Sequence, residues 1–147
     1  MEFLEKGMEL YDVEKYEEAI EFYEKVILHE PDHSAAYYEK GICLLNLQKY
    51  EEAIACFDKL LSLEPDNLEV LYDKASSLFQ LHRYTEAIVC FDAILLPKPD
   101  AIDAHGVKGI CLLHLQKYEE AIVCFDKVLS LEPHHLQASF DKVQCLF

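Results

Sequence analysis

Residues 41–67 read GICLLNLQKYEEAIACFDKLLSLEPDN, and residues 109–135 read GICLLHLQKYEEAIVCFDKVLSLEPHH. The second stretch nearly copies the first two steps further along a single period. YEEAI begins at Tyr16, Tyr50 and Tyr118 and YTEAI at Tyr84, a spacing of 34 residues each time. Pro31, Pro65, Pro99 and Pro133 keep that step, as do Ala19, Ala53, Ala87 and Ala121, so no insertion shifts the register. Glycine follows in part, at Gly7, Gly41 and Gly109, with Ala75 in the third copy. A fixed period of this kind signals stacked units, each burying its apolar face against its neighbour.

Inside a copy the apolar residues fall at helical spacing, as in Ile42 and Leu45 or Ile54, Phe57, Leu60 and Leu61, and sustained strand-like alternation is absent. The pattern predicts an all-α protein with two helices per unit, from about Ser34 to Leu47 and from about Tyr50 to Leu63 in the second copy. Gly41 and Ala53 are small enough to let the two helices approach, Tyr50 and Phe57 fill the space between neighbours, and Pro65 ends the unit. The third copy carries Pro97 as well as Pro99, so its second helix is expected to stop near Leu95 or Leu96, because a residue before proline avoids helical geometry. Leu136–Phe147 repeats the first-helix pattern. The reading is one domain over 1–147, with units 1–33, 34–67, 68–101 and 102–135 and an extra helix at 136–147. The likeness of units two and four points to duplication of a two-unit block.

Composition agrees with folded material. Hydrophobic residues make up 52% of the chain, and four Gly and five Pro are scattered without a linker-like run. The start, Met-Glu-Phe-Leu-Glu-Lys, lacks the basic and apolar regions of a secretory signal, and no apolar stretch approaches a bilayer span, so the expected place is the cytosol. The formal net charge of −15 opposes nucleic-acid phosphates and anionic lipid headgroups and favours a basic or apolar partner. Six cysteines could suggest a disulfide framework, but Cys56, Cys90 and Cys124 recur at the repeat step, as do Cys111 and Cys145, with Cys43 two steps before Cys111. Copies in equivalent places meet equivalent surroundings, which suits buried, reduced thiols.

The 34-residue period with Gly, Tyr, Ala, Phe and Pro at these offsets resembles the tetratricopeptide repeat family over the whole chain. The family's frequent tryptophan near the unit start is replaced by Phe3, Tyr37, Leu71 and His105. The resemblance implies a right-handed superhelical α-solenoid of antiparallel helix pairs that serves as a scaffold or adaptor for other proteins. It also implies that the first helix of each unit lines a concave groove, with contacts from its second, fifth, sixth, ninth, twelfth and thirteenth places. Here the fifth place holds Leu4, Tyr38, Tyr72 and Gly106, the ninth Met8, Ile42, Ser76 and Ile110, and the twelfth Tyr11, Leu45, Phe79 and Leu113. Glu5, Glu39 and Asp73 occupy the sixth place, Glu69 and Asp103 the second, and Asn46, Gln80 and His114 the thirteenth.

That track is apolar and aromatic with an acidic rim, so the implied ligand is an apolar, partly basic peptide or helix. Apolar residues at helical spacing also serve as plain packing, but Tyr38 and Tyr72 lie outside the framework positions, and tyrosine suits a groove that is apolar with a polar end. Members of the family that clamp the acidic tails of heat-shock chaperones need Lys, Asn and Arg for a terminal carboxylate. Leu4, Met8, Tyr38 and Ile42 stand at those places, so this clamp is not expected. Lys6, Lys40, Lys74, Lys108 and Lys142 also recur at the repeat step, mostly behind an acidic residue, and read as a solvated stripe that balances charge.

Two other functions fit less of the sequence. A terminal cap needs a polar outer face, yet the last helix ends Cys145-Leu146-Phe147, which suits a fragment of a longer array or a module that self-assembles through that helix. Cys111 and His114, one turn apart, with His134 and His135 further on, could carry metal- or thiol-based chemistry. A structural zinc site wants four ligands, however, and Cys111 has a packing explanation, so no metal and no cofactor are expected. Phosphate-cradling glycine loops, a nucleophile elbow and HExxH are all missing from the sequence. Glu17-Glu18, Glu51-Glu52 and Glu119-Glu120 open the second helices, where negative charge favours the helix dipole. No enzyme activity is expected.

Overall fold

The computed structural model describes residues 2–147. These form nine helices and no strand: α1 Glu2–Asp12, α2 Tyr16–His29, α3 Ser34–Asn46, α4 Tyr50–Leu63, α5 Leu68–Gln80, α6 Tyr84–Leu95, α7 Ile102–His114, α8 Tyr118–Leu131 and α9 Leu136–Leu146. Neighbours in sequence pack on one another, α1 on α2, α2 on α3 and α3 on α4 in one compact unit ending at Ser77, and α6 on α7, α7 on α8 and α8 on α9 in a second from Leu78 to Phe147. The division falls inside α5.

Each first helix closes in the same way. Lys49 N–H donates to the Leu44 carbonyl at 2.8 Å and Gln48 N–H to that of Leu45 at 2.9 Å, the paired bonds of a Schellman turn. Gln48 sits in the left-handed region at φ 59°, as do Glu14, His82 and Gln116 at the same point of the other units. Glycine ordinarily takes that position, and none of the four copies has it. The absence of a Gly signal is why the turn could not be located from the sequence by turn chemistry.

The small residues admit aromatic rings. A Cβ on Gly41 would lie 2.6 Å from Phe57 Cε1, one on Gly109 2.6 Å from Phe125 Cε1, and one on Gly7 2.5 Å from Tyr23 Cε1. Phe57, Phe125 and Tyr23 are fully buried as a result, and each ring contributes on the order of 2–3 kcal/mol by leaving water. In the first unit Leu44, Ala53, Cys56, Phe57, Leu60 and Val70 form one core cluster. Leu112, Ala121, Cys124 and Phe125 form its counterpart in the second.

The proline positions act as expected. In unit three α6 has 12 residues against 14 in α2, α4 and α8, and it ends at Leu95, two residues before Pro97. The place of the missing tryptophan is used to hold the preceding proline carbonyl: Tyr37 OH donates to the Pro31 oxygen at 2.9 Å, and His105 Nε2 lies 2.6 Å from that of Pro99. His135 caps α9, its Nδ1 accepting from Ala138 N–H at 3.1 Å, as His33 does for α3.

The lysine stripe departs from the sequence reading. Lys40, Lys74, Lys108 and Lys142 do not simply balance the acid beside them. They reach back to the preceding helix and pair with Glu24 at 3.2 Å, Asp58 at 2.6 Å, Asp92 at 2.6 Å and Asp126 at 2.7 Å. Their side chains are about one quarter to one third exposed, whereas Lys6, on the first helix, pairs only within α1 and is 52% exposed. The step of 16 residues from acid to lysine spans the loop between helices, so local charge counting misses it.

Candidate peptide-binding surface

In the first unit the predicted groove residues lie on α1, α3 and the first turns of α5, and all are half-buried or exposed. Tyr11, Tyr38, Ile42 and Leu45 rest one side against the core clusters and leave the other open. Their packing role is thus real. Tyr11 meets Tyr16 edge-on at 5.5 Å. Asn46 is spent locally, its Nδ2 donating to the Ile42 carbonyl at 2.9 Å in the last turn of α3, and Tyr72 and Ser76 are half-buried on α5.

Among the predicted residues, Tyr38 and Glu69 join two successive repeats, Tyr38 OH donating to Glu69 Oε1 at 2.8 Å. This contact stands at the rim of a cavity of about 330 Å³ lined by Ser34, Ala35, Tyr38, Leu60, Glu64, Asn67 and Glu69. Burial and the accepting Glu69 carboxylate push the Tyr38 hydroxyl well above the ordinary phenol range, so it is a donor at all physiological pH. Beside it, burial first and the Glu69 charge second raise the Asp73 carboxyl from 3.8 to about 6, against a smaller opposing pull from the Tyr38 hydroxyl. Asp73 Oδ2 is buried without a hydrogen-bond partner. Glu39 is also raised, by burial and then by the Asp12 charge. Together these carboxylates make a face with negative charge in excess of its local donors.

The second unit brings a different part of the predicted set together. Phe79 faces His114 at 6.1 Å and Tyr84 at 5.5 Å, and Tyr84 stacks flat on His114 at 4.6 Å with the planes 1° apart. His82 Nδ1 lies 2.6 Å from the Tyr84 hydroxyl. Ile110 is half-buried against the Leu112 and Phe125 cluster, Leu113 is half-buried, and Asp103 is exposed in the first turn of α7. Tyr84, His82, Tyr16 and Asp12 neighbour the predicted residues without being among them. A tyrosine stands at the place of Tyr16 and Tyr84 in every copy, so spacing does not single it out, and only the neighbouring ring differs between copies.

Cys111 is fully buried, and burial holds its thiol up at about 12, while His114 is exposed. A protonated thiol at that depth is a poor metal ligand or nucleophile. None of the six cysteines is in a disulfide. No helix is long and apolar enough to cross a membrane among the described residues.

Comparison with known proteins adds the family. Residues 12–94, more than half of the chain, match the family model described as anaphase-promoting complex, cyclosome, subunit 3, and residues 102–135 match the tetratricopeptide repeat model. No curated protein is similar enough to count as a match. Among solved structures, MamA from Desulfovibrio magneticus RS-1 is 22% identical with a TM-score of 0.85, over 98% of this chain and 87% of that one. A tetratricopeptide repeat protein from Parabacteroides merdae is 23% identical with a TM-score of 0.90, over 98% of this chain and 57% of that one. The first TPR of Spaghetti (RPAP3), bound to the HSP90 peptide SRMEEVD, is 27% identical with a TM-score of 0.71, over 77% and 90% respectively. These likenesses show the fold class, an all-α helical-repeat solenoid.

Proposed function

The chain belongs to the tetratricopeptide-repeat family, and from that premise we propose that it is a non-enzymatic, cytoplasmic scaffold that holds a segment of another protein on the exposed face of its first helices. In the first unit that surface is Tyr11, Tyr38, Glu39, Ile42, Leu45, Asn46, Glu69, Tyr72, Asp73 and Ser76. In the second it is Phe79, Asp103, Ile110, Leu113 and His114. The observation that carries the reading is the pairing of half-open aromatic rings with carboxylates at the rim of a cavity: Tyr38 bound to the exposed Glu69, with Asp73 beside it. A Lys or Arg beside an apolar anchor on the ligand pairs with the exposed Glu69 carboxylate, and its aliphatic neighbours cover the rings.

The preference runs against acidic tails. The Spaghetti repeat domain is bound to a peptide with two glutamates and a terminal aspartate. On this chain a net charge of −15, with Leu4, Met8, Tyr38 and Ile42 at the clamp places, offers such a peptide no cationic pair. Binding of fluorescent peptides tests this: an apolar, basic helix-forming peptide should bind and weaken at least tenfold with Tyr38→Ala/Tyr72→Ala, after circular dichroism shows the variant still helical. Equal or tighter binding of SRMEEVD would overturn the proposal.

A further inference from the structure

The lining of the cavity beside Tyr38 divides into apolar surface, from the Tyr38 ring, Ala35 and Leu60, and two exposed acids, Glu64 and Glu69. One oxygen of each acid is taken. Glu64 Oε2 accepts from Asn67 Nδ2 at 3.0 Å, and Glu69 Oε1 from the Tyr38 hydroxyl at 2.8 Å. Both donors are neutral, and among the described residues no lysine or arginine pairs with either acid.

The repeat shows what is missing. Glu24, Asp58, Asp92 and Asp126 each hold a lysine of the following helix. In the turns after α2 and α6, Asp32 holds Lys59 and Asp100 holds Lys127, both at 3.1 Å. Asp66 stands at the same place after α4, but one repeat on from Lys59 the sequence has Ala93. The turn that carries Glu64 and Asp66 is therefore the one whose copy of the lysine is gone. Helix ends do not alter the sign of the cavity. Glu64 is the C-cap of α4 and Ser34 opens α3, so half charges of about −0.5 and +0.5 offset each other and leave two full carboxylates.

We propose that this cavity receives an arginine side chain of the bound protein segment, its guanidinium lying on the Tyr38 ring and donating to the remaining oxygens of Glu64 and Glu69. Arginine suits the place better than lysine. Its planar head offers five donors to two separate carboxylates, sheds water more readily than an ammonium and stacks on an aromatic face. Its methylene stem covers Ala35 and Leu60. A volume of about 330 Å³ is at the small end for ligand sites and fits one side chain. The inference rests on the peptide-binding proposal for its partner, and adds to it the cavity, Glu64 and the choice of arginine.

The probe is Nα-acetylarginine amide, titrated into the whole chain while the backbone amide signals of Ala35, Leu60 and Asn67 are followed by NMR. Saturable shifts are expected at all three, with a dissociation constant on the order of 1–10 mM for a single side chain and weaker binding as salt rises. Glu64→Gln, a neutral change at an exposed site, should weaken the probe at least about fivefold, as should the citrulline counterpart, which keeps the shape and loses the charge. The lysine counterpart should bind at least about threefold more weakly than arginine. No shifts up to about 50 mM probe, equal binding of the citrulline or lysine form, or an unchanged affinity in Glu64→Gln would overturn the inference. The two proposals fail separately. If Tyr38→Ala/Tyr72→Ala weakens the basic helix-forming peptide while Glu64→Gln changes neither peptide nor probe binding, only the cavity assignment falls. If the probe fills the cavity with these preferences and no basic peptide binds, only the peptide-binding proposal falls.

Discussion

Phe57 closes over Gly41 so tightly that a Cβ on residue 41 would come within 2.6 Å of the ring. Alanine is the better helix former by about 1 kcal/mol, but a ring held by the whole core has nowhere to move. Gly41→Ala is expected to lose about 1–2 kcal/mol net. Gly106 is the control. A Cβ there meets only Val128 Cγ2 at 4.0 Å, so Gly106→Ala should gain about 0.5–1 kcal/mol from propensity alone. Urea unfolding of the two variants should move the midpoint in opposite directions.

The Schellman turns carry the reverse lesson. Gln48 and Gln116 hold φ of 59° and 60°, and only glycine occupies that region without steric cost. Gln48→Gly and Gln116→Gly should each stabilise by about 0.5–1 kcal/mol, the relief of the left-handed conformation exceeding the extra chain entropy of glycine. Thermal melts that drop instead would show that these side chains make contacts worth more than the relief.

Asp73 makes stability depend on pH in a direction opposite to that of an ordinary ion-paired carboxylate. Its folded value of about 6 lies above the 3.8 of the free side chain. The folded state therefore holds the proton more tightly, and the contribution is complete below about pH 4 and lost as pH rises through 6. Asp73→Asn removes the charge while keeping the shape. The variant should melt with the wild type near pH 4 and about 2–4 °C above it at pH 7.5, and a constant gap across that range would refute the assignment.

The thiols should separate by depth. Cys43 and Cys111 are fully buried with values pushed to about 12, and Cys56, Cys90 and Cys124 are also buried, while Cys145 is only partly so. Native labelling with an aromatic disulfide reagent is expected to modify Cys145 first, the other five reacting only on unfolding. Rapid loss of more than one thiol in the native state would contradict the burial.

Much of this was readable beforehand because the repeat supplies its own control. Gly41, Ala53 and Pro65 recur with their neighbours in register, so the helices, their near-identical ends and the early stop of α6 before Pro97 followed from spacing and stereochemistry. The partners of Lys74 and Lys108 were not readable, since the acid lies one helix earlier and only a folded pair of helices brings it near. Nor was the flat stack of Tyr84 on His114, because tyrosine occurs at that place in every copy while histidine occurs in one.

The sequence by itself determined the all-α class, the 34-residue unit and the burial of five of its six cysteines, because these depend on periodicity and local stereochemistry that every copy repeats; Cys145, expected to be buried like the others, is only partly so. Only the tertiary structure decided that Tyr38 donates to Glu69, that Asp73 is left with a buried unpaired oxygen, and that Glu64 lines the same cavity as Tyr38 and Glu69. Each of these depends on side chains from different helices converging or failing to converge, and that convergence is set by packing between units rather than by the pattern within one.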